Sequence, residues 1–251
     1  MATFPSFRPV TAKPNDIKVA IIGAGPAGLS AAYFLALKGY KPTVFEALSV
    51  PGGMLAVGIP DYRLPRDILN AEIKSITDIG VEIKYNTQFG KDITSESLFK
   101  DGYGAILLAT GAHKGQKLGI PGEEASGVAD GVTFLRAVNL NEIVKTEGKV
   151  VVIGGGNVAI DAARAALRLG AEEVSVLYRR ERDDMPAYVE EIDEAEHEGV
   201  KIHTLVAPDK IISKNGKVTG VECTRMALGK FDKSGRRSPN VIEGSGFTID
   251  A

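Results

Sequence analysis

Two glycine-rich turns, each entered from a short β-branched run and left through a helical stretch, constrain this chain more than any other feature. The first is Ile17-Lys18-Val19-Ala20-Ile21-Ile22 followed by Gly23-Ala24-Gly25-Pro26-Ala27-Gly28. A helix is expected from Ala27 to Lys38, stopped by Gly39, and a strand over Pro42-Thr43-Val44-Phe45. The pattern restarts about 130 residues later, with a strand at Lys149–Ile153, the turn Gly154-Gly155-Gly156, a helix at Val158–Leu169 and a strand at Val174–Tyr178. Strand–helix–strand units of this size place their strands parallel. Two starts this far apart are two folds in one chain, not a short-period repeat.

The spacing within each turn has a chemical meaning. Gly23 permits the tight strand-to-helix turn, Gly25 lets a pyrophosphate approach the backbone, and Gly28 lets helix and strand pack closely, while the helix N-terminus faces the phosphate. Pro26 and Ala27 belong to the same motif. Glu46 ends the second strand, 18 residues after Gly28, where a carboxylate accepts hydrogen bonds from an adenosine ribose; Ala47 follows it. Glycine turns also serve packing alone, but here strand, helix and carboxylate stand together. Gly154, Gly156, Asn157, Val158 and Ala159 repeat the device with alanine in the third place. Their second strand ends on Tyr178-Arg179-Arg180, with no carboxylate. Guanidinium groups suit a 2′-phosphate, so Arg179 and Arg180 point to NADPH. The competing reading makes Arg179, Arg180 and Arg182 a solvated face balanced by Glu181, Asp183 and Asp184. The fold class expected is α/β, with two Rossmann-like dinucleotide-binding domains built on parallel sheets, residues 1–115 and 116–251.

The remaining chain reads more simply. Residues 1–16 form a proline-bearing irregular lead-in. Ala47–Pro65, with Gly52, Gly53 and Gly58 and with Pro51, Pro60 and Pro65, is a long loop of the functional kind. A helix near Arg66–Ile79, a strand at Val81–Lys84 and a buried strand at Ala105–Thr110 follow, and Ala109-Thr110-Gly111 closes the last of these. After the second unit come a helix near Ala187–Glu198 and strands near Lys201–Leu205, Lys210–Ser213 and Lys217–Arg225, the last two joined by an Asn215-Gly216 hairpin turn. Lys230–Pro239 is polar and reads as an exposed hairpin or loop.

Composition removes several classes of function. A net charge of −2 gives no general attraction to nucleic acid or anionic membrane. Cys223 is the only cysteine, which excludes an internal disulfide, a CxxC redox pair and any cysteine-ligated cluster or zinc site made by this chain alone. Cys223 itself reads as a small buried hydrophobe. His113, His197 and His203 lack metal-ligand spacing. No apolar run reaches membrane-spanning length and no leader pattern is present, so the expectation is a cytoplasmic protein.

Together these residues resemble the two-dinucleotide flavoprotein family, and within it the small (beta) subunit of NADPH-dependent glutamate synthase; the flavin module of dihydropyrimidine dehydrogenase is similar. The resemblance runs from about Ile17 to the last residue. Its specific parts are Pro51-Gly52-Gly53-Met54-Leu55, Gly58-Ile59-Pro60, Arg63-Leu64-Pro65, Tyr178-Arg179-Arg180 with Met185-Pro186-Ala187, and Leu228-Gly229 with Ser234-Gly235-Arg236-Arg237. The resemblance implies FAD at the first turn, with Gly53, Met54, Leu55, Gly58 and Arg63 beside it, and NADPH at the second. It implies hydride transfer from NADPH to flavin N5 and one-electron release to an iron–sulfur subunit or domain.

The sequence departs from that family in two ways. The redox cysteine pair of disulfide reductases is missing, and so is a cysteine-rich segment ahead of the first turn, which places any cluster elsewhere. The sequence ends at Phe247–Ala251, about where relatives return to complete the FAD domain, so that domain is expected to be incomplete at its C-terminus and the chain a fragment. Three further readings stand beside the glutamate synthase one: the flavin subunit of another iron–sulfur complex, a simple NADPH-dependent flavin oxidase or monooxygenase, and a non-catalytic docking module.

Overall fold

The structure, a computed structural model, describes residues 11–142, 144, 146–233 and 235–251. Residues 1–10 of the expected lead-in and Ser234 of the polar stretch lie outside the described residues. The chain divides between Ala112 and His113 into two compact units.

In the first unit β1 (Lys18–Ile22) leads through the glycine turn into α1 (Pro26–Leu37) and β2 (Lys41–Phe45). A short helix, α2 (Met54–Val57), precedes α3 (Arg66–Thr77), β3 (Glu82–Lys84), α4 (Ser95–Lys100) and β4 (Tyr103–Leu108). The four strands form one sheet in the order β3-β2-β1-β4, parallel throughout. The register pairs Ile22 with both Phe45 and Leu108, so all three strand ends open at the same edge. Gly28, Leu29, Ala32 and Ala36 recur at helical spacing and form the buried stripe of α1. Small residues there let helix and sheet approach. Ala20, Ile22, Phe45, Leu98 and Tyr103 form a core on the sheet.

In the second unit α5 (Gly131–Asn139) precedes β5 (Lys149–Ile153), α6 (Asn157–Arg168), β6 (Glu173–Tyr178), a 3-10 turn (Arg182–Asp184), α7 (Val189–His197) and β7 (Lys201–Thr204). The parallel sheet runs β5-β6-β7, and β6, with strands on both sides, is almost wholly buried. A second, antiparallel sheet follows: β8 (Val206–Lys214), β9 (Lys217–Phe231), β10 (Arg237–Val241) and β11 (Phe247–Asp250), all pairing with β9. Asn215 and Gly216, with φ of 53° and 76°, make the β8–β9 turn; paired left-handed residues match the twist of a hairpin. Leu177, Val206, Val221 and Cys223 pack together between the two sheets.

Two expectations need correction. The segment Ala47–Pro65 is not all loop, because Met54–Val57 completes a helical turn starting from Gly53. The strand expected to be buried at Ala105–Thr110 is instead Tyr103–Leu108, with Leu107 and Leu108 40% and 63% exposed. It is an edge of the sheet, paired among the described residues only with β1. Its apolar run encodes a strand but does not say what covers each face. The sequence reading also missed α4, α5 and β11, which are short or carry polar residues within the element, whereas antiparallel β9 and β10 meet within the hairpin or loop expected at Lys230–Pro239.

Candidate functional site

The three glycines of the first turn differ in what holds them. Gly23 has φ +108°, and a Cβ built on it would lie 2.4 Å from the Ala109 carbonyl oxygen. A Cβ on Gly28 would lie 1.9 Å from the Gly23 carbonyl oxygen. Both are glycines because the protein's own backbone fills the space. Gly25 is different. Its backbone is extended (φ −77°, ψ 179°), and a Cβ there would meet only Gly53 Cα, at 3.8 Å. Among the described residues nothing packs where a side chain at 25 would stand, so the backbone at the N-terminus of α1 is left open to approach.

The segment after β2 is fastened to this turn. Gly52 N–H donates to Ala24 O at 2.8 Å, and a Cβ on Gly53 would sit 2.8 Å from Gly25 Cα. Gly53 caps α2 at φ +54°, so Met54 and Leu55 begin a second helical turn beside the first cradle. Leu55 and Pro26 both line a groove of about 370 Å3 between α1 and α3. Gly58 closes α2, packed against Met54. Arg63, half-buried, lies in the following turn, and Arg66 ties that turn down by donating to the carbonyls of Leu55, Ile59 and Leu64 at 3.1, 2.6 and 2.9 Å. Ala109 N–H donates to Ile22 O at 2.8 Å, bringing Ala109, Thr110 and Gly111 alongside Gly23.

Glu46 sits at the end of β2 as its spacing requires, 7% exposed, but much of its carboxylate is already used. Oε2 accepts Ala24 N–H at 2.7 Å and Oε1 accepts Leu48 N–H at 2.8 Å. It therefore clamps the glycine turn to the end of β2, and each oxygen keeps a lone pair for a further donor. Ala47 beside it is exposed.

The second turn repeats the design. Gly154 N–H donates to Leu177 O at 3.0 Å, as Gly23 N–H donates to Phe45 O at 2.8 Å. Gly156 is again the glycine that packing does not demand: extended at φ −90°, ψ 171°, with Pro186 Cγ 3.9 Å from a built Cβ. The strap here is Met185-Pro186-Ala187, with Ala187 N–H donating to Gly155 O at 3.1 Å and Tyr188 N–H to Asn157 Oδ1 at 3.1 Å. Val158, in the first turn of α6, is exposed, and Ala159 packs under Gly154.

The arginines after β6 separate into three environments. Arg179 is exposed. Arg180 is 4% exposed: its Nη2 donates to Asp232 Oδ2 at 2.9 Å and its Nε to Arg237 O at 2.8 Å. Arg182 pairs with Asp193 and, at 3.0 Å, with Glu196 of α7. Among the described residues the partners of Arg180 and Arg182 are not the acids adjacent in sequence, Glu181, Asp183 and Asp184, but distant ones supplied by tertiary structure. Sequence reasoning also missed Arg164, buried on α6 and bridged to Glu191 and, at 2.6 Å, to Glu198, which Arg168 also holds at 2.6 Å. A buried arginine inside an amphipathic helix gives no sequence signal of its own.

Cys223 is buried, and burial, helped by the charge of Asp209, pushes its thiol up to about 11. Among the described residues no cluster of three or more His, Cys, Asp or Glu side chains is placed to hold a metal, and no helix is long and apolar enough to cross a membrane.

Residues 17–233 match the model of the family described as pyridine nucleotide-disulphide oxidoreductase. The chain belongs to this family. It is similar to the beta subunit of the NADP(+)-dependent formate dehydrogenase of Moorella thermoacetica, 54% identical over 95% of this chain and 34% of that protein. It is similar too to the glutamate synthase [NADPH] small chain of Escherichia coli (strain K12), 38% identical over 95% of this chain and 53% of that one. Among solved structures, FprA of Mycobacterium tuberculosis in complex with NADPH superposes with a TM-score of 0.81 at 21% identity, covering 94% of this chain and 69% of that chain. That likeness concerns the fold. The chain spans about a third to a half of the length of these two relatives. Within a family named for disulphide chemistry, this sequence offers no cysteine pair, since Cys223 stands alone and buried.

Proposed function

We propose that this chain is an FAD-dependent NADPH oxidoreductase module that passes electrons from NADPH through FAD to an iron–sulfur subunit or domain, as in the glutamate synthase small subunit. The observation that carries this reading is that each turn contains one glycine, Gly25 and Gly156, for which the protein's own packing gives no reason. Two cradles of one design imply two dinucleotides. The names of the relatives support the choice, two of them being NADP- or NADPH-dependent enzyme subunits.

In this reading residues 1–115 form the FAD module and 116–251 the NADPH module. Gly23, Gly25, Pro26, Ala27 and Gly28 receive the FAD pyrophosphate at the start of α1, with Glu46 and Ala47 at the adenosine end. Gly53, Met54, Leu55, Gly58 and Arg63 form the flavin side, with Ala109, Thr110 and Gly111 opposite. Gly154, Gly156, Asn157, Val158 and Ala159 receive the NADPH pyrophosphate, and Arg179 and Arg180 serve its 2′-phosphate end. Bound FAD supplies the redox chemistry, a two-electron hydride acceptor that discharges in single electrons. The chain's own contribution is orientation and exclusion of water. No proton-transfer dyad is assigned, because hydride transfer does not require one.

The test is the absorption spectrum of the purified chain after incubation with FAD and desalting, followed by anaerobic NADPH. A retained flavin that NADPH bleaches, with NADH much less effective, is the expected result. Protein that retains no flavin at saturating FAD, or flavin that NADPH leaves oxidised, would refute the reading.

A further inference from the structure

The burial of Arg180 assigns work to a part of the chain that the glycine turns do not reach, the turn between β9 and β10. Asp232 uses both carboxylate oxygens: Oδ2 takes Arg180 Nη2 at 2.9 Å, and Oδ1 takes the backbone N–H of Arg236 at 3.2 Å. Asp232 N–H donates to Arg236 O at 2.7 Å, closing the turn around the same pair. On the far side Arg237 O accepts Arg180 Nε at 2.8 Å, while the Arg237 side chain is drawn back onto the carbonyls of Leu228 and Gly229. Arg236 thus stands between two points of the turn that are both anchored to Arg180. The main chain of Arg180 is held as well, its carbonyl accepting Leu205 N–H at 3.0 Å.

We propose that Arg180 is a positioning residue, a latch that holds the β9–β10 turn against the end of β6, and that the cations meeting the nucleotide's 2′-phosphate are Arg179, just past the end of β6, and Arg236 from the latched turn. This rests on the NADPH reading above and deepens it. The physical argument is one of exposure. A guanidinium only 4% exposed presents little surface to a ligand, whereas Arg179 and Arg236 are both exposed.

Asp232 separates this from direct recognition by Arg180. If Arg180 bound the phosphate itself, removing Asp232 would release its guanidinium, and NADPH would bind as tightly or more tightly. If Arg180 is a latch, removing Asp232 loosens the turn as surely as removing Arg180. Dissociation constants for NADPH and NADH are to be measured by titration calorimetry on wild type, Arg179→Ala, Arg236→Ala, Arg180→Ala, Asp232→Ala and the isosteric Asp232→Asn, with unfolding temperature as the folding check. Each single variant should weaken NADPH by about 10-fold and leave NADH within about 2-fold. The double variant Arg180→Ala/Asp232→Ala should lose no more than either single one. Undiminished NADPH affinity in both Asp232 variants would overturn the latch, and so would equal losses for NADPH and NADH, which would make the turn merely structural. Equal binding of NADPH and NADH by wild type would overturn the cofactor reading as well.

Discussion

Replacing Gly25 should remove flavin without disturbing the fold, and the structure gives both magnitudes. Its backbone at φ −77° and ψ 179° is open to any residue, and a new Cβ finds only Gly53 Cα, at 3.8 Å. The folding cost of Gly25→Ala is therefore near zero; the smaller entropy of the unfolded chain would even favour it by about 0.4–1 kcal/mol. The cost falls on the ligand. A methyl group pointing into the phosphate space displaces the pyrophosphate from the N–H groups of the first turn of α1. Each hydrogen bond to a charged oxygen is worth about 1.5–3 kcal/mol, so losing one weakens FAD by about 10- to 150-fold. Gly25→Val enlarges the obstruction. Gly28→Ala is the contrast, since its Cβ would lie 1.9 Å from the Gly23 carbonyl oxygen. Relief requires the helix to move off the strand, at about 1–3 kcal/mol or more. Flavin-free forms must be compared, because bound FAD itself raises the unfolding temperature of wild type. Deflavo Gly25→Ala should melt with deflavo wild type and Gly28→Ala several degrees lower, while FAD titration followed by flavin fluorescence shows the loss of affinity. Gly25→Val protein that takes up one equivalent of FAD at wild-type affinity would refute the assignment of the first cradle.

Two further outcomes follow from charge and burial in the second unit. Burial alone would raise the Glu198 carboxyl, but hydrogen bonds from Arg168 and Arg164 outweigh it and lower its pKa to about 2. A folded pKa below the ordinary value near 4.5 means that stability is fully present above that value and fades as pH falls towards 2. The shift corresponds to at most about 3 kcal/mol, reduced by solvent screening to about 1–2. Glu198→Gln should therefore be less stable by that amount at pH 7 in urea unfolding and nearly level with wild type at pH 2.5; an equal deficit at both would show that charge is not the cause. Cys223, raised to about 11, should be unreactive to thiol reagents at pH 8 until the protein is unfolded, and rapid labelling of folded protein would contradict its burial.

The framework of both dinucleotide folds was legible because it rests on local chemistry. Gly23, Gly39, Gly154 and Gly170 all adopt positive φ, a demand that glycine meets most readily, and the β-branched runs before each turn alternate with helical stretches. What the sequence could not show was partnership at a distance. Arg180 and Arg182 lie among Glu181, Asp183 and Asp184, yet their partners are Asp232, Asp193 and Glu196, brought near by the antiparallel sheet and α7. Glu46 was found by spacing, but its hold on Ala24 and Leu48 depends on a turn geometry that spacing does not encode. The apolar character of Leu107 and Leu108 marked a strand, while its place at the sheet edge depends on which strands pair.

The two turns also differ at their middle residue, and the difference is physical. In both, a strap donates to that residue's carbonyl: Gly52 to Ala24 at 2.8 Å and Ala187 to Gly155 at 3.1 Å. Ala24 carries its methyl group into a fully buried space. Gly155 cannot, because the Tyr178 ring lies where a Cβ would fall, 2.5 Å away. That ring's hydroxyl donates to Asp184 O at 2.7 Å, so Tyr178 supports the 3-10 turn from which the strap Met185–Ala187 departs. Gly155→Ala should push the ring outward, break that bond and shift the strap, costing about 1–3 kcal/mol. In a Tyr178→Ala background no ring remains to be displaced, and the same substitution should cost almost nothing. The double-mutant cycle, read by urea unfolding, should therefore give a coupling of about 1–3 kcal/mol. If Gly155→Ala is equally damaging with and without the ring, the glycine at 155 serves something other than Tyr178, and the explanation of the difference between the two turns fails.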